Sequence, residues 1–310
     1  MHRVAIVTDS TAYLPADLVA SHGIRVVPVQ VVVGGHPYDE GVEITPAEVA
    51  AALREWTIVT TSRPSPDRFA EAYAEAAAAG ATAVVSAHLS GDMSGTYDSA
   101  VLAARDAPVP VEVVDTRQVA MAMGFAVLDG ARAAEAGADP DAVATAIRDR
   151  AAASSALFYV DTLDYLRRGG RIGAAQALLG QALAVKPILE LVDGRVAPLE
   201  KVRTTSRALA RIEELVLERA AGRPCDVAVH HLDAAARAET LAGHLVARMA
   251  DSRVIVAEVG AVVGAHVGPG MVAVGVSPRP GGAAGDPGDE GADLGGQDAG
   301  DPRAGTPDPA

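Results

Sequence analysis

Two segments rich in hydroxyl side chains could hold a small anion in this sequence. Thr61 and Ser62 lie in the first segment, and Ser94 lies in the second. Each hydroxyl can donate one hydrogen bond without adding charge. Two later residues could complete such a site: Arg171, which follows two glycines, and His266, which precedes a Gly-Pro-Gly run. We therefore expect one pocket that holds an anionic group with neutral donors, one arginine and one histidine.

Each of these residues also has a plain structural interpretation. Ser94 precedes a predicted helix, and a serine in that place is typical of an N-cap. The free N–H groups of a helix N-terminus also favour an anion, so a cap and a ligand site are compatible. Arg171 could belong to a solvated basic turn, and His266, in a predicted loop, could be a structural histidine. The residues alone leave these alternatives open.

The sequence lacks the motifs of several common enzyme classes. It contains no G-x-x-x-x-G-K-S/T for ATP phosphates and no G-x-G-x-x-G after a strand. The order Gly-Asp-Met-Ser-Gly at 91–95 differs from the G-x-S-x-G turn of serine hydrolases. His230 and His231 have no partner at the spacing of a zinc site, and we interpret them as a strand end. We expect no metal and no cofactor.

The composition favours a cytoplasmic protein with a large core. The chain has 310 residues, of which 49% are hydrophobic, so two domains are affordable. The single cysteine, Cys225, fits a reducing compartment. No apolar run approaches the roughly 20 residues that span a bilayer, so we expect no stable membrane insertion. The net charge of −14 argues against nucleic-acid binding.

The last segment of the chain, 279–310, differs in composition from the rest. It is rich in Gly and Pro, carries seven acidic residues and two arginines, and has almost no large apolar side chain. Such a segment cannot bury enough apolar area to offset the entropy of ordering. We predict a disordered, solubilising acidic tail.

The first half of the chain alternates between predicted strands and helices. This spacing predicts an α/β domain with a parallel sheet and helices on both faces. Ligands bind such sheets beyond the carboxyl ends of the strands. We therefore expect the polar segments 9–11, 60–62, 86–94 and 115–116 at one rim. The predicted strands are 4–8, 24–33, 58–60, 82–87 and 111–114, and the predicted helices are 15–23, one beginning at a capping box at 45–48, 66–80, 94–105 and 118–136.

The second half predicts an α+β domain with some antiparallel pairing. Asp193-Gly194 between two apolar runs is a strong hairpin signal. The predicted strands are 156–160, 184–192, 195–202, 226–231, 254–258 and 271–276, and the predicted helices are 204–220 and 234–249. We place the N-terminal domain at 1–152, the C-terminal domain at 153–278 and the tail at 279–310.

Seven segments, taken in order, resemble the DegV family of bacterial fatty-acid-binding proteins. Each segment is weakly specific by itself, whereas their common order over residues 1 to about 277 is highly specific. The segments are T-D-S-T-A at 8–12, T-S-R-P-S at 61–65, L-S-G-D-M-S-G-T-Y at 89–97, D-T at 115–116 with Gly124, L-D-Y-L-R-R-G-G-R-I at 163–172, K-P-I-L at 186–189 and H-V-G-P-G at 266–270.

The resemblance implies a two-domain protein that buries a long-chain fatty acid. The carboxylate would be held at the hydroxyl rim, and the tail would enter an apolar tunnel. By position, the carboxylate-binding residues would be Thr61, Ser62, Ser94 and Gly95, with Arg171 and His266 as the charged members of the head-group network.

The resemblance also implies a role for the whole protein. It would be the non-catalytic, lipid-binding subunit of a two-component fatty acid kinase. A separate ATP-dependent kinase subunit would phosphorylate the bound carboxylate to an acyl phosphate for phospholipid synthesis. Two positions depart from the family's pattern: Arg63 replaces a Gln, placing a charge beside the site or outward, and Ala120 replaces a common Ser.

Two other functions fit some of the residues. One is a lipid ester hydrolase with Ser94 as nucleophile and His266 as base. The other is a lipid store or sensor that never meets a kinase. A basic set could dock an acidic partner or form an ordinary solvated face; its members are Arg167, Arg168, Lys201, Arg203 and Arg207.

Overall fold

The computed structural model describes residues 3–178 and 185–280. The strands β1 to β13 in this part of the chain are Val4–Asp9, Arg25–Val27, Gln30–Val33, His36–Asp39, Val59–Ser62, Ala83–His88, Val111–Asp115, Ser155–Tyr159, Lys186–Val192, Arg195–Val202, Cys225–His231, Arg253–Glu258 and Val272–Pro278. The helices α1 to α10 are Ala16–Ser21, Pro46–Arg54, Pro66–Ala78, Thr96–Ala104, Met121–Glu135, Pro140–Ala153, Asp164–Arg168, Thr205–Ala220, Ala235–Arg248 and Ala261–Val267. Short 3-10 helices occupy Ser10–Ala12 and Gly173–Leu178.

The first sheet is parallel, in the strand order β2-β1-β6-β7. Successive side chains of a strand point to opposite faces. Ile6 therefore packs with α5 and α6, whereas Val7 packs with α3 and α4. The prediction of an α/β fold with a parallel sheet between helices is confirmed.

The second sheet has six strands in the order β10-β9-β8-β13-β11-β12. Its neighbouring strands are antiparallel except for β11 and β12, so the predicted α+β character is confirmed. Asp193 and Gly194 both have positive φ angles and close the predicted β9–β10 hairpin. One face of this sheet packs on α8 and α9. The other face is turned toward α5, α7 and α10.

Helix α5 lies between the two sheets. All eight residues from Met121 to Leu128 are buried, although a surface helix would expose one side. The helix packs on β1 of the parallel sheet and on β11 and β13 of the mixed sheet. Helix α6, which follows it from Pro140 and is capped by Asp139, was not predicted from the sequence.

The prediction of one long strand at 24–33 is wrong. Residues 25–27 belong to the parallel sheet, whereas residues 30–33 belong to a third, antiparallel sheet in the order β4-β3-β5. Pro28 lies between the two strands. A proline cannot donate a ladder hydrogen bond, so the chain leaves the first sheet there. Residues 60–62 lie in β5 of this third sheet and not at the rim of the parallel sheet.

The third sheet packs against elements from both halves of the chain. Val31 of β3 and Val49 of α2 share a core with Val262 and Ala265 of α10. The α2 helix begins at the predicted capping box, in which Thr45 and Glu48 exchange hydrogen bonds.

Helix α6 ends at Ala153 and β8 begins at Ser155, so we retain 1–152 and 153–278 as a proposed division. The predicted disordered tail, 279–310, starts too early, because the Arg279 N–H donates to the Pro224 carbonyl and its guanidinium donates to Asp226; residues 281–310 lie outside the described part of the chain.

A buried carboxyl group holds the N-terminus of α10. Glu40 is 4% exposed, and its Oε1 accepts hydrogen bonds from the Val262 N–H at 2.7 Å and the Tyr13 hydroxyl at 3.2 Å. Ser10 donates to its Oε2. Burial, with the nearby Asp9, raises the pKa of Glu40 from 4.5 to about 7.

No helix in the described residues is long and apolar enough to cross a membrane.

We expect Glu40→Gln to remove a pH-dependent loss of stability. Because the folded-state pKa of Glu40 lies above its unfolded value, the wild-type protein loses stability as pH rises from about 4.5 through about 7. The full shift corresponds to about 3 kcal/mol. We therefore expect the free energy of unfolding, measured with urea, to fall in the wild type relative to the variant as the pH rises from 5 to 8. Parallel pH profiles for the two proteins would contradict this assignment.

Candidate functional site

One cavity lies between the mixed sheet and the elements that cover its open face. Its volume is about 220 Å³. All six residues predicted to bind an anionic head group line it: Thr61, Ser62, Ser94, Gly95, Arg171 and His266. The structure thus brings together residues that are up to 205 positions apart in the chain.

Small side chains on the floor of the cavity explain why space is left there. Ala156, Ala273 and Gly275 lie on β8 and β13, and all three line the cavity. Their neighbours along these strands, such as Leu157 and Val272, point to the other face and pack under α8 and α9. The short side chains of Ala156 and Ala273 do not reach the layer above the sheet, so a cavity remains beside them, whereas at Gly275 the backbone of Ala122 in α5 packs close to the sheet. Its other walls are mostly apolar; they include Phe158, Leu166, Leu191, Val262 and Met271.

One end of the cavity is polar, and it contains a hydrogen bond between Thr61 and His266. Thr61 lies on β5 with its side chain toward α10, and its Oγ1 is 2.9 Å from Nε2 of His266. The prediction that His266 lies in a loop is wrong, since it is in the last turn of α10. The Gly and Pro residues that suggested a loop follow the helix and end it. The helix fixes the imidazole more firmly than a loop would.

Arg171 is part of the same polar end and not of a solvated turn. Its Nε donates to the Met93 carbonyl at 3.0 Å, and its Nη1 donates to the Gly169 carbonyl at 2.6 Å. Gly169 itself lies against His266, because a Cβ on it would be 2.1 Å from Nδ1 of that ring. Only glycine allows this segment to approach the imidazole so closely.

The imidazole of His266 is neutral at physiological pH. Burial, with the nearby guanidinium of Arg171, lowers its pKa from 6.5 to about 4. Its Nδ1 is buried and has no hydrogen-bond partner among the described residues. The polar end therefore combines hydroxyls, one neutral imidazole and the charge of Arg171.

Ser94 is not an N-cap, which was one of the two interpretations left open for it. Helix α4 begins at Thr96, and Gly95 is its N-cap, so the predicted helix start at residue 94 is two residues early. The Ser94 Oγ is 2.8 Å from Oγ1 of Thr96 and also accepts from the Thr96 N–H at 3.3 Å. Ser94 thus lies in the loop before the helix, where it lines the cavity.

Ser62 and Arg63 mark the mouth of the cavity. Both are exposed, and both line the cavity, so it opens to solvent at its polar end. The guanidinium of Arg63 lies against Gly95, since a Cβ on that glycine would be 2.4 Å from Nη1 of Arg63. The sequence left open whether Arg63 lies beside the site or points outward. In the structure it lies beside the site, across the mouth of the cavity.

Three of the four polar segments, 9–11, 86–94 and 115–116, meet at the carboxyl edge of the parallel sheet as expected, whereas 60–62 lies in the third sheet. Asp9, His88 and Ser86 form a hydrogen-bonded chain, with 3.0 Å from Asp9 Oδ2 to His88 Nδ1 and 2.7 Å from His88 Nε2 to Ser86 Oγ. All three side chains are fully buried. None of the three lines the cavity, so this Asp–His–Ser chain is separate from the candidate site. Asp115 accepts from the Gly91 N–H and so fixes the loop before Ser94.

Two residues that line the cavity were not predicted. His230, interpreted as a strand end, lies on β11, and its Nε2 accepts from the Met121 N–H at 3.3 Å, at the start of α5. Burial lowers the pKa of His230 to about 4, which keeps it neutral. Ala120 also lines the cavity and has a positive φ of 56°. In the sequence, Ala120 stood out only because it replaces a Ser that is common in the DegV pattern.

The basic residues predicted to dock a partner lie on separate elements. Arg167 and Arg168 are exposed on α7, where Arg167 pairs with Asp164 and Arg168 lies 5.4 Å from the ring of Trp56. Lys201 is the next-to-last residue of β10, and Arg203 follows the strand in the turn before α8; both are exposed. Their role in docking stays a prediction.

Comparison with known proteins finds one family over almost the whole chain. The model of the family described as "Uncharacterised protein, DegV family" matches residues 3–279. A DegV domain-containing protein of Streptomyces coelicolor is 59% identical over 280 residues, which are 89% of this chain and 99% of that protein. A fatty-acid-binding DegV family protein from Thermus thermophilus has a similar structure, with a TM-score of 0.85 and 37% identity, covering 89% of this chain and 100% of the other. DegV, a fatty acid binding protein from Bacillus subtilis, gives 0.83 and 32%, covering 90% and 100%.

We expect the His266 imidazole to titrate near pH 4 and to respond to Arg171. Replacing Arg171 by Met removes a nearby positive charge, so the pKa of His266 should rise, yet stay below 6.5 because burial remains. Imidazole NMR shifts followed from pH 3 to pH 8 would measure both values. Arg203→Met, which removes a charge from the exposed turn before α8, serves as the control. An unchanged pKa in the Arg171 variant would mean that the guanidinium does not face this ring.

Proposed function

The chain belongs to the DegV family, and from that premise we propose that it binds a long-chain fatty acid in this cavity. The observation that carries the proposal is the polarity of the cavity: a mostly apolar body that ends in a small set of hydroxyls, one imidazole and guanidinium groups. A fatty acid has the same division between tail and head. Solved relatives described as fatty-acid-binding proteins support the assignment.

The tail would supply most of the affinity. Moving one CH₂ group from water into an apolar site is worth about 0.8 kcal/mol, so sixteen methylenes give roughly 13 kcal/mol before the cost of association. The aliphatic walls, including Leu89, Leu191 and Val263, offer the contacts that such a chain needs. These walls contain no charged group, so the bound tail would not separate a buried charge from its partner.

The carboxylate would be held by Thr61, Ser62 and Ser94, with the Gly95 backbone beside them. An ionised carboxylate leaves water only where donors replace its hydration. Thr61 and Ser94 hydroxyls face the same end of the cavity as Arg171 and His266. Arg171 already donates to two backbone carbonyls, so it contributes positive charge without forming a tight bidentate pair.

We further propose that the protein is the non-catalytic subunit of a cytoplasmic fatty acid kinase. The carboxylate would lie near the open mouth, where Ser62 and Arg63 are exposed, so a second protein could reach it. A separate ATP-dependent subunit would transfer the γ-phosphoryl group to a carboxylate oxygen, which leaves ADP and an acyl phosphate. Neutral hydroxyls would hold the carboxylate while leaving it nucleophilic. The missing P-loop motif agrees with ATP binding by the other subunit.

The geometry disfavours a lipid ester hydrolase. In that mechanism His266 would activate Ser94, and an acidic group would orient the imidazole. In the structure, Nε2 of His266 contacts Thr61, and the Ser94 hydroxyl contacts Thr96. Nδ1 of His266 faces Gly169 and has no carboxylate partner in the described residues. A lipid store or sensor remains the alternative that differs only in the absence of a kinase partner.

The protein purified from a bacterial host should carry one fatty acid of about 14 to 18 carbons, visible as an added mass in native mass spectrometry. Ala273→Trp places a large ring in the floor of the cavity, so this variant should lose the added mass while its circular dichroism stays that of the wild type. Ala236→Trp on the exposed side of α9 is the matched control and should retain the ligand. A wild-type protein that neither carries nor takes up oleate or palmitate would refute the fatty-acid proposal.

Reversing one charge should separate ligand binding from partner docking. Arg203 is exposed in the turn before α8 and does not line the cavity. We expect Arg203→Glu to bind oleate like the wild type and to lower kinase-dependent formation of acyl phosphate at least tenfold, because an acidic partner surface would be repelled. Arg203→Lys, which keeps the charge, should restore the rate. An unchanged rate in the Glu variant would exclude Arg203 from the docking surface.

A further inference from the structure

We propose that Ser10, Tyr13 and Glu40 are positioning residues of the head-group site. They hold α10 by its N-terminus and so set the place of His266 in its last turn. The inference rests on the proposed function, because it names residues outside the cavity on which the binding of the fatty acid head group depends. None of the three belongs to the described residues that line the cavity.

The first argument is the set of hydrogen bonds to the start of α10. Glu40 Oε1 accepts from the Val262 N–H at 2.7 Å, and the Tyr13 hydroxyl accepts from the Val263 N–H at 3.1 Å. The Tyr13 hydroxyl in turn donates to Glu40. A helix leaves its first N–H groups without intrahelical partners, and α10 has no side-chain cap of its own. These two residues, more than 200 positions earlier in the chain, supply the cap.

The second argument is the length of α10. The helix has seven residues, so it is about 10 Å long, and it moves nearly as a rigid rod. A shift or tilt at Val262 is therefore passed on to His266 in the last turn. That ring makes a 2.9 Å contact with Thr61 and packs against Gly169, so a small displacement breaks the polar end of the cavity.

The third argument is that Ser10 and Glu40 also fix part of the cavity wall. The Ser10 Oγ accepts from the Val29 N–H at 3.0 Å while it donates to Glu40. The Glu40 N–H donates to the Val29 carbonyl, also at 3.0 Å. Val29, Val262 and Val263 all line the cavity. Three segments that are distant in the chain thus meet directly behind one wall, and Glu40 contacts each of them.

Gly260 shows how closely α10 is held. A Cβ on Gly260 would be 2.2 Å from Cε1 of Tyr13 and 2.4 Å from Oε1 of Glu40. Its backbone angles, φ −65° and ψ 172°, are open to any residue, so the need for glycine is purely steric. Any side chain there would push α10 away from its cap. This position offers a second way to disturb the same contact.

The experiment compares four variants of the full chain after removal of bound lipid. Glu40→Ala removes the cap, Gly260→Ala displaces it, and Glu40→Gln keeps an acceptor for the Val262 N–H. Gly243→Ala in α9 is the matched control, because a Cβ there meets nothing within 4 Å. The two measurements are amide hydrogen exchange of a peptide covering 261–267 and the Kd for oleate.

We expect faster exchange in this peptide and at least tenfold weaker oleate binding for Glu40→Ala and Gly260→Ala. Glu40→Gln should return both values to within about threefold of the wild type, and Gly243→Ala should match the wild type. Rescue by Gln separates the hydrogen-bonded cap from a general loss of packing.

Three results would overturn the proposal. The first is unchanged exchange in the Glu40→Ala peptide, and the second is faster exchange with unchanged oleate affinity. The third is a Glu40→Gln variant in which neither the exchange rate nor the Kd for oleate returns toward the wild-type value. If the wild-type protein itself binds no oleate, the proposed function fails, and the exchange data alone then decide whether Glu40 holds α10.

Discussion

The buried contact between Glu40 and the start of α10 is the interaction on which the site depends. Without it, the helix that carries His266 would lose the hydrogen bond that places Val262 and would depend more on apolar packing, which fixes position less sharply than directed hydrogen bonds. The contact has a cost, because a carboxyl group is removed from water, and the raised pKa of Glu40 reports that cost. In the core, the carboxyl group joins the 3-10 helix after β1, the segment around Val29, and α10 at one point.

Around that contact, the site combines an apolar cavity with very little charge. Small residues on one face of the mixed sheet leave the space, and α5 and α10 close it. At the polar end, burial keeps His266 neutral, and Arg171 keeps its charge while two of its N–H groups donate to backbone carbonyls. An anion placed here meets donors on several sides and no single dominant ion pair.

Local patterns in the sequence predicted most of the elements correctly. The capping box at Thr45 and Glu48 and the hairpin at Asp193-Gly194 occur as expected, because both depend on hydrogen bonds or φ angles within a few residues. The errors fell where local and distant effects compete. Pro28 divides one apolar run between two sheets, and the Gly-Pro-Gly run after His266 ends a helix that the sequence analysis did not expect. Helix α6 was missed in an Ala-rich stretch that shows only a weak apolar face.

The sequence by itself determined the family, the two kinds of sheet and the six residues expected at the head-group site. It could do so because ordered motifs and hydrophobic periodicity are properties of the chain alone. Only the tertiary structure decided that Ser10, Tyr13 and Glu40 cap a helix from the other half of the chain, that the Asp9–His88–Ser86 chain is separate from the cavity, and that Ala156, Ala273 and Gly275 form a cavity floor. The physical reason is that the roles of these residues depend on what packs across from them. Neither their own identity nor that of their neighbours in sequence contains this information.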